Sequence, residues 1–119
     1  MLRASLFFLA CVLAGHAHAM PLGDWARGDG NARVRIQPCG AALCAVNTWI
    51  KDSLSDEKVG HRLVMSVKPD GNGRLVGSAF DPQRERSYGI TIDYSDSRMN
   101  TRGCLIGLLC KTVTWTKLR

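Results

Sequence analysis

The chain has 119 residues, with 16 Lys and Arg against 10 Asp and Glu, a formal net charge of +6. That length holds one domain with a modest core, and the basic balance favours anionic partners over cationic ones. Beyond the first twenty residues no stretch is long and apolar enough to cross a bilayer as a helix.

In chain order, the first element reads as a secretory signal. Arg3 supplies a positive charge, residues 4–15 are almost unbroken apolar, and Ala17 and Ala19 put small side chains at the −3 and −1 positions of a cut after Ala19. The apolar run is roughly a dozen residues, short of the about 20 that a membrane helix needs. The expectation is therefore a signal peptide at 1–19 and a domain at 20–119, located in the periplasm or outside the cell. Loss of Arg3 leaves 15 basic against 10 acidic residues, a charge of about +5.

From there the chain alternates in twos. Ala32, Val34 and Ile36 interleave with Arg33, Arg35 and Gln37, which predicts a half-buried strand with a basic outer face. Leu63, Met65 and Val67 repeat the rhythm, as do Tyr88, Ile90, Ile92 and Tyr94, and then Val113 and Trp115 among threonines. Turn residues separate the runs, most clearly Gly28-Asp29-Gly30-Asn31 and Pro69-Asp70-Gly71-Asn72-Gly73. The polar, acidic segment 51–60 is a long loop or a short helical turn. Counting gives about seven or eight strands, near 22–27, 32–38, 43–50, 61–68, 74–80, 86–94, 98–104 and 110–117. The predicted class is all-β: an antiparallel up-and-down barrel, with a two-sheet sandwich as the alternative.

Four cysteines remain once Cys11 leaves with the signal: Cys39, Cys44, Cys104 and Cys110. An even number in a short exported chain argues for disulfides. Three pairings exist, and the spacing favours the local ones, Cys39–Cys44 and Cys104–Cys110. Each would contribute about 2 kcal/mol on chain entropy. A four-thiolate zinc site fits the spacing less well, so no metal or cofactor is expected.

Catalytic chemistry finds little support. His61 is the one histidine after signal removal, expected on a solvated strand edge or loop, and there is no Gly-x-Ser-x-Gly elbow. Asp56-Glu57 lies in the polar loop, where carboxylates keep ordinary pKa values. The expectation is a non-enzyme with no catalytic residue. The basic surface carries Arg33, Arg35, Arg84 and Arg86, suited to anionic envelope components rather than nucleic acid. Trp49, Tyr88, Tyr94 and Trp115 are the candidate lining of an interior that side chains fill or that holds one small ligand.

The residues resemble a family. Gly23-Asp24-Trp25, Asp29-Gly30-x-Ala32-Arg33-Val34-Arg35-Ile36, Cys39-Gly40-x-x-Leu43-Cys44, Trp49, Asp81-Pro82, Tyr88, Gly103-Cys104, Leu109-Cys110 and Trp115 are similar to the small exported bacterial proteins of domain-of-unknown-function family 2147. The resemblance implies a lipocalin-like barrel and carries no activity with it. Gly23-x-Trp25 also resembles the lipocalin first-strand signature. That likeness implies a tryptophan plugging one barrel end under a cation, here Lys117 or Arg119, where the family pattern has arginine at the place of Lys117.

Two readings of function follow. The first is a barrel that binds a small apolar or amphipathic, anionic ligand. The second is an envelope interaction module whose basic outer surface holds an anionic envelope component or protein.

Overall fold

The structure is a computed structural model that describes residues 20–105 and 109–119. The expected signal at 1–19 lies outside the described residues. Eight strands follow in order: β1 (Gly23–Arg27), β2 (Ala32–Cys39), β3 (Ala42–Ile50), β4 (Arg62–Pro69), β5 (Arg74–Asp81), β6 (Arg86–Tyr94), β7 (Arg98–Leu105) and β8 (Leu109–Lys117). Each pairs antiparallel with the next, and β1 pairs with β8, so the sheet closes into a barrel. Closure removes the exposed edges that an open meander of this length would carry. No helix occurs among the described residues, and segment 51–61 is a looped excursion rather than a helical turn.

The alternation read from the sequence becomes the inside and outside of the wall. Along β2, Ala32, Val34 and Ile36 are buried while Arg33, Arg35 and Gln37 are exposed. The core cluster gathers Trp25, Ile36, Leu43, Met65, Leu75, Ile92 and Met99 with their neighbours. The disulfides Cys39–Cys44 and Cys104–Cys110 are the local pairs, with Cα atoms 5.7 and 4.0 Å apart. Up-and-down order puts Cys39–Cys44 at one end of the barrel and Cys104–Cys110 at the other.

The two ends are built differently. At the first, Trp25 is 1% exposed, and its indole N–H donates to the Pro21 carbonyl at 3.0 Å. Lys117 Nζ lies 5.2 Å from the centroid of that ring. Gly23 adopts φ +108°, and a Cβ there would stand 2.5 Å from the Arg119 carbonyl oxygen. Only glycine lets the last residues close so tightly over β1. The Asp24 N–H donates to the Arg119 carbonyl, and the Leu118 N–H to the Asp24 carbonyl, which extends the β1–β8 pairing to the rim of this end.

Candidate functional site

Among the described residues the opposite end is open, ringed by the β1–β2 turn, the β3–β4 loop, the β5–β6 turn and the ends of β7 and β8 joined by Cys104–Cys110. Below the ring lies a cavity of about 620 Å³ walled by Ile36, Met65, Tyr88, Ile90, Val113 and Trp115. It joins a mouth recess of about 950 Å³ through shared walls at Val34, Ala45, Leu63, Tyr88 and Trp115. Both volumes fall in the range typical of small-molecule sites, about 300–1,000 Å³.

Specific residues keep this space open and shaped. Gly103 on β7 has no side chain, and a Cβ there would come within 2.8 Å of the Tyr88 ring, so the glycine makes the room that this ring occupies. Burial pushes the Tyr88 hydroxyl pKa up, with the nearby Asp81 carboxylate adding to it. The Trp115 indole N–H donates to Thr101 Oγ1 at 3.0 Å, which satisfies its polar atom on the cavity wall.

The rim is charged and partly braced. Arg27, at the end of β1, grips Glu57 of the β3–β4 loop with both terminal nitrogens, one bond at 2.9 Å, and its Nε meets Asp29 at 3.0 Å. The Arg27 hydrogen bond holds the Glu57 carboxyl below its ordinary range and outweighs the opposing effect of burial. Asp29 is lowered by the same guanidinium, and Arg27 itself is raised. For Asp81, burial pushes the pKa up, but hydrogen bonds from Arg84 and Gln83 overcome it and leave the group lowered. Arg62, Arg86 and Lys111 also border the opening, and none of them makes an ion pair among the described residues. His61 lines the mouth with its Nδ1 buried and without a hydrogen-bond partner. The described residues contain no group of three or more His, Cys, Asp or Glu that could hold a metal ion.

A family model described as "Uncharacterized protein conserved in bacteria (DUF2147)" matches residues 23–117. The chain belongs to that family. No curated protein and no solved structure matches it. The matched span covers the entire barrel, from the glycine before the plugging tryptophan to the lysine above it.

In this DUF2147 barrel the residues singled out in the sequence divide among three places. Tyr88 and Trp115 stand on the cavity wall. Tyr94 lies at the plugged end, beside Asn72, Gly73 and Lys117, and not on that wall. Trp49, a candidate for the lining, is corrected to the outer face: it is 39% exposed and stacks with Arg33, the guanidinium carbon 4.9 Å from the ring centroid. The cause is a bulge. Arg33 pairs with Trp49 and Val34 with Asn47, so Thr48 is the extra residue that reverses the alternation.

The basic residues also separate. Arg35 is held by Asp24 at 2.9 Å on the outer surface, and that bond lowers the Asp24 pKa. Arg84 and Arg86 belong to the mouth and cavity lip. The loop carboxylate expected to be ordinary, Glu57, is instead bonded to Arg27. Sequence reasoning also missed Lys111. It shares the phase of Val113, Trp115 and Lys117 along β8, and that phase was the available signal.

Proposed function

We propose that the protein is an exported, non-enzymatic carrier that binds a small amphipathic anion. The ligand's apolar part occupies the 620 Å³ cavity, and its head lies at the lip beside Arg86 and Lys111. The observation that carries this reading is the asymmetry of the barrel. One end is plugged by Trp25, and the other leads through a basic lip into a space walled by aliphatic and aromatic side chains. An apolar pocket with a few polar groups at its rim suits a molecule with one greasy and one charged end. Two local disulfides support an oxidising compartment, and with it removal of residues 1–19.

The test uses 1-anilinonaphthalene-8-sulfonate, an apolar ring system with a fixed negative charge, as the probe. Saturable binding is expected, weakened about tenfold or more by Trp115→Ala and less by Lys111→Glu. A dye that does not bind, or binds both variants as well as the parent, removes the proposal. Amino-terminal sequencing of protein from the periplasmic fraction checks the export step, with Met20 expected first.

The second reading places an anionic envelope component on Arg33 and Arg35. It draws less support, because Asp24 already engages Arg35 and Trp49 engages Arg33.

A further inference from the structure

The large apolar side chains left in solvent are not spread evenly. Leu54 is 91% exposed, Leu109 68% and Val59 63%, while Leu118, Phe80, Leu22 and Trp49 range from 47% down to 39%. All three of the most exposed lie at the open end: Leu54 and Val59 on the β3–β4 loop, Leu109 at the start of β8. A leucine at 91% exposure has no role in the barrel's own packing. Single exposed apolar residues are ordinary, but their concentration around the opening of an apolar cavity points to a surface that something covers.

We propose that this end docks on anionic lipid bilayers, with Leu54, Val59 and Leu109 entering the interface and Arg86 and Lys111 meeting the lipid phosphates. Two features favour a bilayer over a protein. The β3–β4 loop and the Cys104–Cys110 hairpin stand on opposite sides of the mouth, separated by the β5–β6 turn on one side and the β1–β2 turn on the other. The apolar points therefore straddle an opening instead of forming one contiguous patch. A fluid interface accepts separated points, whereas a folded partner needs a matching continuous surface.

The charge agrees. Lys51, Lys58, Arg62, Arg86 and Lys111 stand at this end without ion pairs among the described residues, against Asp52, Asp56 and Glu85 that are likewise outside the ion pairs, a local excess of positive charge. Basic groups beside apolar tips are attracted to an anionic leaflet. Docked in this pose, the mouth faces the membrane. The docking goes beyond the carrier reading and does not depend on it, since protein with an empty cavity would dock equally.

Sedimentation with vesicles tests the proposal, using oxidised full-length mature protein. Vesicles of phosphatidylglycerol and phosphatidylethanolamine are compared with vesicles of phosphatidylcholine alone. Binding to the anionic vesicles is expected, about tenfold tighter than to the neutral ones, and reduced about tenfold by Leu54→Ser with Val59→Ser, neither of which lines the cavity or its mouth. The matched pair at the plugged end, Leu22→Ser with Leu118→Ser, should bind as the parent does. All of these side chains are exposed, so each variant should keep the parent's circular dichroism and dye binding. Retained dye binding with lost vesicle binding separates failure of docking from failure of the carrier site. The proposal is overturned by absence of vesicle binding, including the case where the protein instead self-associates in solution. It is equally overturned by undiminished binding of the open-end pair, or by an equal loss in the plugged-end pair.

Discussion

The two ends of this barrel start from the same strands and the same alternation, yet one is solid and the other hollow. At the plugged end a large ring fills the bore, a lysine caps it, and Asp24 bonds to Leu118 and Arg119 to carry the β1–β8 pairing to the barrel's rim. At the mouth the corresponding volume is left open by a glycine, Gly103, which gives the Tyr88 ring room against the wall. Charged side chains border the opening there, among them Arg27, Arg62, Arg86 and Lys111 at the strand ends. Small barrels can either fill their bore or hold one guest. This one does the first at one end and has room for the second at the other.

The largest expected effect of breaking the contrast comes from the plug. Trp25→Ala removes a ring that is 1% exposed, and it should cost about 3–5 kcal/mol in denaturant unfolding. Trp115→Ala removes a half-buried ring from a wall already facing open space, so its stability cost should be clearly smaller while its effect on dye binding is large. Equal stability losses at the two sites would mean that the mouth is packed as tightly as the plug, and the contrast would fall.

The plugged end was the more legible half in the sequence. The resemblance carried by Gly23-x-Trp25 implied a late cation at Lys117 or Arg119, and it is Lys117 that meets the Trp25 ring. Strand positions were legible to within a residue or two, because period-two alternation and Gly/Asp/Asn turns are local signals. The mouth was harder because its organising contacts are not local. Arg27 and Glu57 are 30 residues apart, and no pattern in segment 51–60 announces which carboxylate will cross to β1. Trp49 shows the other limit. A single bulged threonine moves it from the inner to the outer phase, and Thr48 differs in no visible way from a threonine in regular register.

Acid should act on the two ends unequally. Asp29, Glu57 and Asp81 at the mouth and Asp24 at the plugged end all have pKa values below their ordinary 3.8 or 4.5. Folding therefore favours their ionised forms. Their stabilisation is fully present above about pH 4.5 and disappears as pH falls through the lower native values, with no change from these groups at neutral or alkaline pH. Since the groups are partly solvated, the total should be well below the cost of losing Trp25. Hydrogen exchange should show the β3–β4 loop losing protection on acidification before β1 does. Glu57→Gln should produce much of that loosening already at neutral pH. Simultaneous loss at both ends would show that the barrel opens only as a unit.

The smallest effect sharpens the account of the plug itself. The Lys117 ammonium lies over the Trp25 ring, and the lysine stem runs beside Gly23, where a Cβ would come within 2.9 Å of Lys117 Cε. The missing side chain at position 23 thus makes the channel through which the cation reaches the ring. A guanidinium stacks on an indole face better than an ammonium does, so Lys117→Arg should stabilise by about 0.5 kcal/mol, visible as a small rise in Tm. Lys117→Ala should lose about 0.5–1 kcal/mol by the same measurement. If the arginine variant is instead less stable than the parent, the channel at Gly23 is too narrow for the planar group, and fit rather than charge governs how this end of the barrel is capped.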